Sequence, residues 1–172
     1  GGVSVRAELK ILVHPDPRLK EVAEPVIAFD DELAELVAAL ERTMKAGPGA
    51  VGIAAPQVGI GLRVCIVDVS GRKRTESHGH LVMVNPEITQ WEGMAVGREG
   101  CLSVPDYTGN VIRAERVGLR AHDAEGQLYE HALGGFEARA VQHELDHLDG
   151  LLFLDRLVSR SGDLFKRKVY KR

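Results

Sequence analysis

The sequence predicts an α+β fold, with mainly antiparallel strands packed around a central helix and an amphipathic helix nearer the N-terminus. Three observations carry this. Strand-like segments follow one another between two helical stretches, without the strand–helix alternation of a parallel sheet. Leu33, Leu36, Val37, Leu40 and Met44 recur at helical spacing. The 172 residues suit one hydrophobic core, so 1–172 is expected to form a single domain.

The elements follow in order. Gly1-Gly2 lacks a Met and reads as a scar of expression. His14-Pro15-Asp16-Pro17 is a turn-rich opening, because two prolines block regular structure. The first helix is expected over 30–46, capped by Asp30 or Asp31 and ended by Gly47-Pro48-Gly49. Strands are expected at 63–69 and 80–85, joined by the polar loop 71–79, and then at 94–97, 116–122 and 127–132. Asp123 to Gly126 supplies a turn between the last two. The second helix spans 135–149, with Gly150 where a C-terminal cap belongs. A last short helix is expected at 162–170.

Composition narrows the function classes. The chain is 44% hydrophobic and 27% charged, ordinary for a globular protein. Its net charge of -3 carries no nucleic-acid footprint, and no specific nucleic-acid partner is expected. The apolar runs are too short to span a membrane, and no signal peptide is visible. Two cysteines, Cys65 and Cys101, do not make a disulfide scaffold, so a cytoplasmic location is expected. The tail 166–172 is basic, either a solvated helix end or a transient contact with ribosomal RNA.

The strongest motif is His143-Glu144-Leu145-Asp146-His147. Residues i and i+4 share a helix face, so both imidazoles can reach one ion. Glu144 starts one position on and can lie beside an activated water, taking and returning a proton. Two surface histidines on a charged helix are the bland alternative. Ala140, Val141, Leu145 and Leu148 favour a core boundary.

A catalytic site of this type needs a third protein ligand and an open position. Downstream, the place where one known pattern puts a third His is Phe153, and no Glu follows His147. The third ligand is therefore sought upstream, at Cys101 in Glu99-Gly100-Cys101-Leu102-Ser103. A thiolate is a strong ligand for first-row divalent metals, and Gly100 removes bulk beside it. Cys65 lies in the apolar run Val64-Cys65-Ile66-Val67 and reads as core. A further segment, Val51-Gly52-Ile53-Ala54-Ala55-Pro56-Gln57, is either a packing segment or a substrate wall. In the second case Gln57 offers an amide donor to a carbonyl.

Taken in order, Ala50 to Gln57, Glu99 to Ser103 and Gln142 to His147 resemble the three motifs of peptide deformylases. The opening around Pro15 to Leu19 is similar too, and only Ala50 departs, standing where the family has Gly. The resemblance implies a hydrolase that removes the N-formyl group from the formyl-methionine of new proteins, releasing formate. It implies a metal held by Cys101, His143 and His147, with Glu144 as general base and acid. Metal-bound hydroxide is then the nucleophile, and Gln57 with the backbone N–H of Leu102 stabilises the oxyanion. Fe(II) is expected in the cell, while Zn, Ni or Co suits the same ligands. Val51, Gly52, Ile53 and Gly100 are expected along the N-formyl-methionyl peptide, with Arg139 facing substrate or solvent. Glu99 and Arg113 are expected to brace the Cys101 loop, unless Arg113 is simply solvated. The rivals are a metallo-endopeptidase and a non-catalytic metal-binding module.

Overall fold

The computed structural model describes residues 9–167. β1 (Gly52–Ala54), β2 (Val64–Val67), β3 (Leu81–Glu92), β6 (Arg116–His122) and β7 (Leu128–Gly134) form one sheet in the order β1-β2-β3-β6-β7. β4 (Ala95–Cys101), β5 (Val104–Arg113) and β8 (Leu164–Lys166) form a second, in the order β4-β5-β8. Every pairing within the two sheets is antiparallel, as expected. The α-helices among the described residues are α1 (Asp31–Ala46) and α2 (Gly135–Leu148). Among the described residues no helix is long and apolar enough to cross a membrane.

α1 starts where its cap chemistry places it. The Asp30 carboxylate accepts the Leu33 N–H at 3.1 Å, satisfying a backbone donor that no helical carbonyl can reach. Its apolar stripe packs on Ile53, Val64 and Ile66. The intervening residues Ala54, Cys65 and Val67 point the other way, into a cluster with Val141, Leu145 and Leu148 of α2. Side chains alternate along a strand, so β1 and β2 are buried on both faces, between the two helices. That explains why Val64-Cys65-Ile66-Val67 is continuously apolar.

Four expectations change. β3 does not stop before Pro86 but runs on to Glu92. Its register shifts between Val84 and Glu87, and Asn85 takes φ +50 there, so the proline falls in an irregularity where its missing donor is tolerated. β4 extends past Gly97 to Cys101. β5 was not expected, because Pro105, Asp106, Gly109 and Asn110 break any alternation. Gly109 is needed there, since a Cβ would strike Leu157 and Phe153. The expected helix over 162–170 is instead the strand β8, paired from Leu164 to Lys166 against Tyr107 to Gly109. So short a helix is marginal in water, whereas the edge of β5 offers ready backbone partners. Residues 168–170 of that segment, 168–172 of the basic tail, and Gly1-Gly2 lie outside the described residues.

Replacing Asp30 with Ala is expected to lower stability by about 1 kcal/mol. Urea unfolding checks this, and an unmoved midpoint would show that the cap contributes nothing.

Candidate metal centre

α2 places His143 and His147 one turn apart on one face, and β4 delivers Cys101 opposite them at the turn into β5. The potential ligand atoms of the three residues all lie within 4.8 Å of one another. Cys101 Sγ stands 3.3 Å from His147 Nε2. Both histidines are buried and Cys101 is half-buried. Burial pushes the His147 pKa well below its ordinary value, which keeps the imidazole neutral and its lone pair free. One sulfur and two nitrogens suit a first-row divalent cation and leave coordination positions open.

Glu99 orients this set. Its buried carboxylate accepts from Arg113 Nη2 at 2.9 Å and His143 Nδ1 at 2.8 Å on one oxygen. The other oxygen takes Arg113 Nε at 2.9 Å and Arg139 Nη1 at 2.8 Å. Burial alone would raise the Glu99 pKa, but the Arg113 and His143 hydrogen bonds outweigh it and hold the group well below the carboxylate range. An ionised Glu99 keeps the His143 proton on Nδ1, so Nε2 is the atom presented to a metal. Arg113 continues to Asp146 on α2, which also takes Arg156 Nη2 at 3.1 Å. Arg113 thus pairs with Glu99 and is not simply solvated, and the network reaches from β4 to α2.

Glu144 is buried, and its Oε1 has no hydrogen-bond partner among the described residues. Burial pushes its pKa up to about 7, close to neutrality, where a group can both take and return a proton. Gly52 makes room for it: a Cβ there would stand 2.5 Å from Glu144 Oε2. Gln57 is nearly fully buried and fixed at both ends. Its Oε1 accepts the Ala54 N–H at 2.9 Å, while Nε2 points to Ser103 Oγ at 3.1 Å and Cys101 Sγ at 3.4 Å.

A cleft of about 410 Å³ opens onto these groups, and Val51, Gly52, Gly100, Leu102 and Arg139 line it. Ile53 does not. It is fully buried in the α1 cluster, because the strand alternation that turns Gly52 toward Glu144 turns Ile53 away, so only its backbone can reach a substrate. Arg139 lines the cleft, yet its guanidinium is spent on Glu99, Val111 O and Ala95 O. Ala50 carries no strain, since the positive-φ residues other than glycine are Arg74 and Asn85. Sequence reasoning assigned no role to Ser103 or Asp146. Both stood inside quoted motifs, and Asp146 is an acid on a helix at i+3 from His143, which is a usable signal.

A Cys/His/His triad with both histidines buried, an adjacent carboxylate with a free oxygen, and an open cleft together define a metal-dependent hydrolase. The comparisons narrow the class. The polypeptide deformylase family model matches residues 8–162. A peptide deformylase of Alkalilimnicola ehrlichii is 46% identical over 165 residues, covering 96% of this chain and 90% of the relative. A crystal structure of the Thermotoga maritima peptide deformylase superposes with a TM-score of 0.83 at 35% identity, over 90% of this chain and 100% of that one. A Met-Ala-Ser-bound class I type b peptide deformylase from Acinetobacter baumannii gives 0.83 at 42% identity, over 88% and 99%. The chain belongs to the peptide deformylase family. It is an enzyme that removes the N-formyl group from nascent peptides.

Two substitutions test this geometry. Gly52→Ala is expected to push Glu144 aside and lower kcat about 100-fold with metal content retained. Undiminished turnover would show that Glu144 has room to move. Arg113→Met leaves the Glu99 charge buried and short of a partner, and should cost about 3–5 kcal/mol in denaturant unfolding. A loss below about 1 kcal/mol would place Glu99 in a wetter setting than its burial indicates.

Proposed function

We propose that Cys101, His143 and His147 hold one divalent cation, Fe(II) in the cell, with Zn, Ni or Co able to replace it. The observation that carries this is the convergence of their three ligand atoms within 4.8 Å beside the unpartnered oxygen of Glu144. When bound, the cation lowers the pKa of a water and polarises the formyl carbonyl.

The chain's own residues do the rest. Glu144 takes the proton from the attacking water and delivers it to the amine as the C–N bond breaks, leaving formate and a free N-terminus. The Gln57 Nε2–H and the Leu102 N–H meet the formyl oxygen as negative charge builds on it. Gln57 suits the task because the Ala54 N–H fixes its amide orientation, so the donor end faces Cys101 before substrate arrives. Val51, Gly52 and Gly100 let the peptide backbone approach closely. Glu99 holds His143 in its ligand tautomer, and Arg113 and Arg139 hold Glu99.

On this reading the whole chain works as one catalytic domain on N-formyl-methionyl peptides in the cytoplasm. The unpaired state of Cys65 and Cys101 supports a reducing compartment. The basic tail gives it a transient contact with the ribosome.

The decisive assay uses anaerobically prepared protein with Fe(II) and formyl-Met-Ala-Ser. Formate is expected, and Glu144→Ala should abolish it while the metal stays bound. Metal-loaded protein that releases no formate would overturn the reading. Gln57→Ala should lower kcat about 100- to 1000-fold with little change in KM, and an unchanged kcat would remove Gln57 from the mechanism.

A further inference from the structure

The cleft has a cationic rim that the chemistry at the metal centre does not use. Arg72, Arg98 and Arg167 all line it, and all three are exposed. None forms a salt bridge among the described residues, whereas eight of the chain's other basic side chains do. The carboxylates lining the same cleft are Glu99 and Glu144. Glu99 is saturated by Arg113, Arg139 and His143, and Glu144 is buried. The mouth of the cleft is thus positive in a chain whose net charge is -3.

These arginines are held in place. Arg72 comes from the β2–β3 loop and lies over the Phe136 ring at the start of α2, 4.0 Å from its centre. Arg98 lies 3.8 Å over the Phe165 ring of β8 and donates to Asn110 and Thr108 of β5. Arg167 follows β8, and its backbone N–H is fixed on Asp106 O. Its guanidinium rests on Gly100: a Cβ there would stand 2.5 Å from Nη2, so glycine next to Cys101 admits this arginine to the cleft. Stacking leaves the edge donors of a guanidinium available to an anion.

We infer that this rim binds a carboxylate of the formyl-peptide downstream of its second residue, either an acidic side chain or the free C-terminus of a short peptide. The inference rests on deformylation in this cleft. With the formyl group at Cys101, His143 and His147, the peptide must leave toward the open mouth, past Gly100 and the three arginines. The interaction is solvent-exposed, so it acts mainly on KM and weakens with salt.

The test compares formate release by the Fe(II)-loaded full chain from formyl-Met-Ala-Asp-amide, formyl-Met-Ala-Ser-amide, formyl-Met-Ala-Lys-amide and formyl-Met-Ala-Ser free acid. The Asp amide should exceed the Ser amide about fivefold in kcat/KM, mostly through KM, with the Lys amide lowest. The spread should shrink at about 0.5 M salt. The Asp amide and the Ser free acid separate the side-chain source from the terminal one, and an advantage for either supports the rim. The double variant Arg72→Gln, Arg167→Gln should bring the acidic-to-neutral ratio toward one, and Arg98→Gln provides an independent check. Equal kcat/KM for all four peptides would overturn the inference, as would a preference that survives in every variant. Formate from none of them would overturn deformylation in this cleft, and the rim assignment with it.

Discussion

The centre depends on one carboxylate taken out of water. Glu99 is buried, and a buried charge persists only if it is paired and hydrogen-bonded. Its two oxygens accept four hydrogen bonds, from Arg113 twice, Arg139 and His143. Those partners come from β5 and α2, while Glu99 itself is on β4 two residues before Cys101. One ion-pair network therefore ties the strand carrying the thiol to the helix carrying the histidines. It sets the spacing of Cys101, His143 and His147 and the tautomer of His143 together. Asp146 extends the tie through Arg113 to Arg156, so the second sheet cannot slide along α2 without breaking buried pairs.

Glycines and alternation complete the fit from the other side. β1 is only three residues long, but its pleat sends Ile53 into the α1 cluster and leaves Gly52 under Glu144. Gly97 plays a similar part for Arg139, whose guanidinium occupies the space a Cβ would need. Helix, sheet and loop approach each other closely at the points where the side chain is missing. This is how so polar a helix face becomes buried, with Glu144 Oε1 and His147 Nδ1 left without partners among the described residues.

Local chemistry was legible in the sequence wherever it acted within one element. Asp30 as a cap, the stripe of α1, the i, i+4 histidines and Gly150 past the end of α2 are all short-range signals. The grouping of Cys101 with the two histidines was legible only indirectly, through the search for a third ligand that the downstream positions could not supply. What stayed hidden depends on long-range pairing. β5 and β8 exist because each supplies hydrogen bonds to the other or to β4, and no periodicity in 104–113 or 162–170 announces that. The turning of the Ile53 side chain into the α1 cluster was hidden for the same reason, since which face of a strand meets which neighbour is decided by long-range packing. Arg72 and Arg167 reach one cleft from distant parts of the sequence, which no local pattern encodes.

The charges form a graded arrangement. At the centre, the Cys101 thiolate and the Glu144 carboxylate together balance a divalent cation held as proposed, so the reacting groups carry little net charge. Around them, Arg113, Arg139 and Arg156 outnumber Glu99 and Asp146 by one positive charge. Outside that, Arg72, Arg98 and Arg167 add three more at the mouth. The inner arginines are engaged in ion pairs that fix geometry, Arg113 and Arg139 away from water and Arg156 at the half-exposed edge. The outer excess faces solvent and acts on what approaches. A peptide ending in or carrying a carboxylate is drawn to the mouth, while its neutral formyl end is free to enter a centre that already balances its own charge.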